Sequence, residues 1–113
     1  MGELPGMPNG LVTLPEIEAA AARIQGVVVA TPLLSFPELS DAVGGEIRLK
    51  CESLQRSGSF KIRGAMNFVS QIPTEALERG VITYSSGNHA QAVALVGRLL
   101  RVRTTVVMPD NAP

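Results

Sequence analysis

One cysteine, one histidine and no net charge set the first limits on this 113-residue chain. With Cys51 alone, an internal disulfide framework and a cysteine-built metal site are excluded, and a reducing compartment fits best. His89 has no second histidine to join it, and no stretch carries metal-ligand spacing, so no metal is expected. Ten basic residues against ten acidic ones leave no electrostatic footprint for nucleic acid or for an anionic membrane. No apolar run approaches the length of a membrane span. The first ten residues, rich in Gly and Pro, lack the basic start and apolar stretch of a signal peptide, and Gly6 stands where a myristoylation signal has Ser or Thr. Internal repeats and low-complexity tracts are missing too. The expectation is a soluble cytoplasmic protein whose residues 1–12 are disordered.

What is present suffices for one modest core, since 45% of the residues are hydrophobic. Thr13-Leu14-Pro15-Glu16 reads as a capping box with an early proline, opening an Ala-rich helix that Gly26 closes. Residues 27–34 are apolar but interrupted by Pro32, which predicts extended chain, and residues 36–43 predict a short helix stopped by Gly44-Gly45. Residues 46–52 alternate, with Ile47, Leu49 and Cys51 on one face and Arg48 and Lys50 on the other, as in a half-buried strand. Ile62, Ala65, Met66 and Val69 recur at helical spacing, so Lys61 stands at a helix N-terminus. Pro73 ends that helix and residues 74–79 form another short one. The apolar strand 81–84 then runs straight into Ser85-Ser86-Gly87, and Ala92, Val93, Val96, Leu99 and Leu100 stripe a helix that begins near Asn88. A Val-rich strand over 103–108 follows. Strand, helix, strand, helix, strand from Glu46 onward predicts an α/β protein with a parallel sheet, and residues 73–80 are the best seam between two lobes.

Two segments carry chemistry. In Ser57-Gly58-Ser59-Phe60-Lys61-Ile62-Arg63-Gly64-Ala65, the partly positive end of a helix dipole disfavours an ammonium on Lys61 by a few tenths to about 1 kcal/mol. The same field favours the neutral amine, the form that attacks an aldehyde. A charged surface lysine at a helix end is the plainer alternative, as are a helix cap for the serines and core packing for Phe60. The run lacks the spacing of a phosphate-binding P-loop. In Ser85-Ser86-Gly87-Asn88-His89-Ala90-Gln91, a strand entering a helix points several backbone N–H groups at one spot, which suits a carboxylate or phosphate. Gly87 allows close approach, and Asn88 and His89 add polar side chains. Ordinary capping by Ser or Asn is the alternative there.

Together these segments resemble the fold-type II pyridoxal-phosphate enzymes, in the branch of threonine and serine dehydratases (ammonia-lyases) and serine racemase. Ala30-Thr31-Pro32-Leu33-Leu34, Leu49-Lys50-Cys51-Glu52 with Leu54-Gln55, the two runs above, and Val106-Val107-Met108-Pro109 with Ala112-Pro113 follow the family's order. Cysteine synthases of the same fold usually read Ser-Val-Lys-Asp-Arg at the lysine, where this chain has Ser59-Phe60-Lys61-Ile62-Arg63, so the dehydratase and racemase branch fits better.

The resemblance implies a tryptophan synthase β-like α/β architecture, here incomplete, and pyridoxal 5′-phosphate as cofactor. It implies that Lys61 is the Schiff-base lysine and takes the substrate α-proton, that Phe60 packs near the cofactor, and that Asn88 hydrogen-bonds the ring hydroxyl. Ser85, Ser86, Gly87, Asn88 and His89 would grip the substrate carboxylate, with the Ser86 hydroxyl on the face opposite Lys61 as a second acid/base. The implied activity is β-elimination of L-threonine or L-serine to a 2-oxo acid and ammonia. The alternatives are serine racemisation, or a catalytically dead short relic acting as an interaction protein. The family's phosphate-binding loop and pyridine-nitrogen partner lie downstream of the carboxylate loop, and no residues here match them. The chain is therefore expected to be an N-terminal part, with residues 13–79 beginning the large cofactor domain and residues 80–113 the small one. The whole enzyme would be a homo-oligomer acting on a small amino acid. Arg101 stands where many relatives have a glycine between helix and strand, which questions the left-handed turn there.

Overall fold

The computed structural model describes residues 11–113. The expectation of disorder over residues 1–12 lies outside the described residues except at Leu11 and Val12, which are exposed and without regular structure. Helix α1 (Leu14–Ile24) starts as its capping box dictates. Glu16 Oε2 accepts from the Thr13 amide and from its hydroxyl, each at 2.7 Å, and Gly26 at φ 78° turns the chain after the helix. Helix α2 (Pro37–Val43) ends at Gly44 in the left-handed conformation, as the Gly-Gly pair predicts.

Two small sheets replace the single parallel sheet expected from Glu46 onward. Strand β1 (Leu33–Ser35) pairs antiparallel with β2 (Arg48–Lys50), in the register Leu33 to Lys50, Leu34 to Leu49 and Ser35 to Arg48. Pro32 hides β1 in the sequence because it breaks the apolar run. It stands just outside the strand, where its carbonyl still accepts from the Cys51 amide at 2.9 Å. All six residues of the pair are exposed, so the alternation in β2 does not report a buried face.

The parallel part is β3 (Val81–Tyr84) with β4 (Thr104–Val107), joined through helix α5 (Asn88–Leu100) as a strand-helix-strand unit. Val81 pairs with Thr104 and Tyr84 with Val107. Alternate residues Val81, Thr83, Thr104 and Val106 are half-buried, whereas Ile82, Tyr84, Thr105 and Val107 stand on the exposed face. Arg101 closes α5 at φ 56°, so the left-handed turn forms with arginine in place of glycine.

Helix α3 (Lys61–Val69) packs across α5, and their apolar stripes form most of the core. Ile62, Ala65, Met66 and Val69 meet Ala92, Val93 and Val96, with Ile24 of α1 beside them. Ile62 and Val96 are fully buried, each worth about 1.5–3 kcal/mol of transfer free energy. Residues from both sides of the 73–80 stretch, which holds the short helix α4 (Thr74–Leu77), thus share one cluster. That packing holds the N-termini of α3 and α5, and so the two chemistry-bearing segments, in one body. Among the described residues no helix is long and apolar enough to cross a membrane.

Candidate functional site

The approach to Lys61 is built from two 3-10 turns, Glu52–Leu54 and Arg56–Gly58, and is held by buried polar side chains. Gln55, 4% exposed, bonds the Val29 peptide like a neighbouring strand. Its Oε1 accepts from the Val29 amide at 2.9 Å and its Nε2 donates to the Val29 carbonyl at 2.8 Å. Ser57 and Gly58 follow at φ 61° and 71°, folding the chain sharply ahead of α3. The capping expected from these serines is only partly made. Ser59 Oγ accepts from the Lys61 amide at 3.4 Å, whereas the buried Ser57 Oγ has no partner.

Glu52 gathers the surrounding cations. Arg63 donates to it from Nε and from Nη2, both at 2.8 Å, the Thr31 hydroxyl donates to Oε1, and Lys50 Nζ lies 3.8 Å away. The Arg63 hydrogen bonds are the main reason that the Glu52 carboxyl is pulled down to about 2, against the opposing effect of burial. The same pairing raises the Arg63 guanidinium above its usual range.

The chain has two lysines, and their surroundings differ. Lys50 Nζ donates to the Thr31 carbonyl at 2.5 Å besides facing Glu52. Lys61 Nζ has no hydrogen-bond or ion-pair partner among the described residues and sits 4.9 Å from the centroid of the Phe60 ring. It lines a cleft of ≈ 430 Å³ between α3 and β3, with Phe60, Gly64 and Phe68 on one wall and Ile82, Thr83 and His89 on the other. Such a volume suits a small organic ligand.

The predicted residues fall into two groups. Phe60, Lys61 and His89 share the cleft, and His89 Nε2 stands 3.0 Å from Thr83 Oγ1. Ser85 and Ser86 line a separate shallow groove with Tyr84 and Met108, and Gly87 and Asn88 are exposed at the start of α5. No side chain caps α5, so the ordinary capping alternative for Ser85, Ser86 and Asn88 does not apply. Ser85 Oγ instead accepts from the Gly87 amide at 3.2 Å. A Cβ on Gly87 would meet nothing within 4 Å, so no packing within the chain demands glycine there. The uncapped first turn of this 13-residue helix leaves N–H groups able to bind an anion.

Reading the sequence missed four participants: Thr83, Gln55, Glu52 and Arg63. Thr83 looked like strand filler. The other three belong to the matched motifs, but their pairing with residues 29–31 joins segments far apart in sequence, which no local pattern displays.

The family model described as pyridoxal-phosphate dependent enzyme matches residues 24–113. The chain is 48% identical over 101 residues to an L-threo-3-hydroxyaspartate ammonia-lyase of Saccharomyces cerevisiae, covering 89% of the chain and 31% of that protein. It is 46% identical over 103 residues to an L-threonine ammonia-lyase of Thermotoga maritima, covering 91% of the chain and 26% of that protein. The crystal structure of serine racemase from Dictyostelium discoideum superposes with a TM-score of 0.83 at 42% identity, over 90% of this chain and 33% of that one. The chain thus spans about a third or less of the relatives it matches. The residues present suit an aldehyde cofactor: an amine without a partner, an aromatic ring beside it and an open cleft are what such a group requires. With that amine at the head of α3, a fold shared with fold-type II enzymes and most of its length matched, the chain belongs to the pyridoxal-phosphate dependent enzymes, and pyridoxal 5′-phosphate is its cofactor.

Proposed function

We propose that the protein is a threonine/serine ammonia-lyase, removing water from L-threonine or L-serine to give a 2-oxo acid and ammonia. The observation that carries this reading is the Lys61 amine, without a partner among the described residues, in a cleft it shares with His89. Lys61 holds the cofactor and afterwards moves the substrate α-proton at Nζ, and Phe60 packs against the ring. Asn88 hydrogen-bonds the ring hydroxyl. The N–H groups at the start of α5, the hydroxyls of Ser85 and Ser86, and His89 bind the substrate carboxylate, with Gly87 leaving room for it. When bound, pyridoxal 5′-phosphate supplies an electron sink for the charge left at the α-carbon. Loss of the β-hydroxyl as water then leaves an enamine, whose hydrolysis releases ammonia. The division into a cofactor-domain part, 13–79, and a small-domain part, 80–113, belongs to the same proposal.

Serine racemisation is the second reading, favoured by Ser86. Its hydroxyl is exposed and has no partner among the described residues, so it is free to exchange a proton with a bound substrate. The product of the native gene, assayed with threonine for 2-oxobutyrate and with L-serine for pyruvate and D-serine, separates the two. Release of 2-oxo acid that vanishes in Lys61→Ala, together with the visible absorbance of the lysine-bound cofactor, is expected. D-Serine as the main product would replace elimination by racemisation, and activity surviving in Lys61→Ala would overturn both.

A further inference from the structure

Helix α3 presents three different faces. Ile62, Met66 and Val69 enter the core, Lys61, Gly64 and Phe68 line the cleft together with Phe60 just before the helix, and Arg63 and Asn67 form a polar stripe bonded to other elements, Arg63 and Val69 also reaching the cleft lining. Successive helical residues are turned by about 100°, so Lys61, Ile62 and Arg63 leave the helix on three sides. On the polar side, Arg63 holds Glu52 through two nitrogens at 2.8 Å, and its Nη2 also reaches the Val29 carbonyl at 3.3 Å. One turn further on, Asn67 Oδ1 accepts from Arg23 Nε of α1 at 2.7 Å. The Val29 carbonyl also accepts from Gln55, so one peptide group is bonded from before Lys61 and from after it. Apart from the helix's own bonds, the Lys61 amide makes only the long 3.4 Å bond to Ser59, and among the described residues Phe60 at the N-cap position supplies no side-chain cap.

We infer that Arg63, with Glu52 as its partner, is a positioning residue that fixes the rotation of α3 about its own axis and so delivers Lys61 Nζ into the cleft. Apolar contacts are non-directional and let a helix roll on its core face. A planar guanidinium gripped at two nitrogens by one carboxylate is directional and stops the roll. The inference rests on Lys61 being the cofactor lysine, as proposed above.

The full 113-residue chain, incubated with pyridoxal 5′-phosphate and reduced with borohydride, tests this through the rates at which adducts appear on Lys61 and on Lys50, followed by peptide mass spectrometry. Preferential labelling of Lys61 is expected in the wild type, and no adduct on Lys61 there would remove the cofactor-lysine reading itself. Given that adduct, Arg63→Met should label Lys61 about tenfold more slowly, as misplacement of a reacting group predicts. Arg63→Lys, which keeps the charge and loses the fork, should fall between the two. Val96→Ala, which destabilises the core without touching the Arg63–Glu52 pair, should label at the wild-type rate, so that slowing in Arg63→Met is separated from a general loss of stability. Wild-type labelling of Lys61 in folded Arg63→Met overturns the inference. Should circular dichroism show Arg63→Met unfolded, Arg63→Lys decides, and a wild-type rate in that variant overturns it.

Discussion

Thr83 Oγ1 and His89 Nε2 stand 3.0 Å apart on the wall of the cleft that faces Lys61. One ring nitrogen is thereby engaged by a strand hydroxyl, which can donate to it or accept from it and so orients the imidazole. Because His89 is the only histidine, its ring signals can be read without assignment. Nitrogen-15 NMR of Thr83→Ser should reproduce the wild-type ring-nitrogen shifts, whereas Thr83→Val should move the Nε2 signal toward that of a solvated imidazole, with about 1 kcal/mol or less of lost stability. An unchanged pattern in Thr83→Val would show that the hydroxyl does not set the ring.

Acid should weaken the fold through Glu52. Its carboxyl lies at about 2 in the folded chain and near 4.5 when free of partners. The unfolded state therefore takes up the proton first, and the contribution of the pair is complete above about pH 4.5 and lost as the pH falls toward 2. The expected size is about 2 kcal/mol for a carboxylate that accepts three hydrogen bonds and keeps some contact with solvent. Urea unfolding from pH 6 to pH 2.5 checks this, since Glu52→Gln should be less stable at pH 6 and have a flatter profile than the wild type.

At Arg101 a glycine should help. The residue holds φ 56° with a β-carbon present, a conformation that costs an L-residue roughly 1–2 kcal/mol. Arg101→Gly should raise the melting midpoint by about 4 °C, while Arg101→Ala, which keeps the β-carbon, should not.

Gly97 answers in the opposite sense. It lies in the middle of α5, where alanine would ordinarily favour the helix by up to about 1 kcal/mol. A Cβ there would come within 2.9 Å of the Val102 carbonyl oxygen and collide with the Thr104 side chain of β4. Gly97→Ala is expected to cost about 2 kcal/mol by forcing helix and strand apart. A melting midpoint at or above that of the wild type would contradict the close packing of α5 on β4.

Elements with strong local signals were legible in the sequence. The capping box at Thr13 and Glu16, the Gly44 stop, the stripe of α3 and, except for the exposed Leu99, that of α5 appear where their spacing places them. Strand β2 was legible in the alternation of residues 46–52, but its antiparallel partner β1 was not, because Pro32 interrupts the apolar run and three exposed residues carry no buried face to mark a strand. In the site, Lys61, Phe60 and His89 were legible because each lies in a run with its own chemistry. Their supports were not, since Gln55 and Arg63 act on the Val29 peptide and Glu52 on the Thr31 hydroxyl, all distant in sequence, and such closures are set by tertiary packing. The separation of Ser85 and Ser86 from the Lys61 cleft likewise depends on how β3 alternates, which a list of residues in order does not convey.

Lys50, tied to the Thr31 carbonyl and to Glu52, has a bearing on chemical selectivity. Of the ten basic side chains, all except the two lysines are arginine. A guanidinium keeps its proton at any physiological pH and is a poor nucleophile toward aldehydes, so it carries positive charge without competing for an electrophile. With the other lysine tethered, the side chains of this polypeptide offer a reactive carbonyl compound a single uncommitted amine at Lys61. Over this stretch of chain, misdirected modification by a carbonyl reagent is limited by composition as much as by tethering.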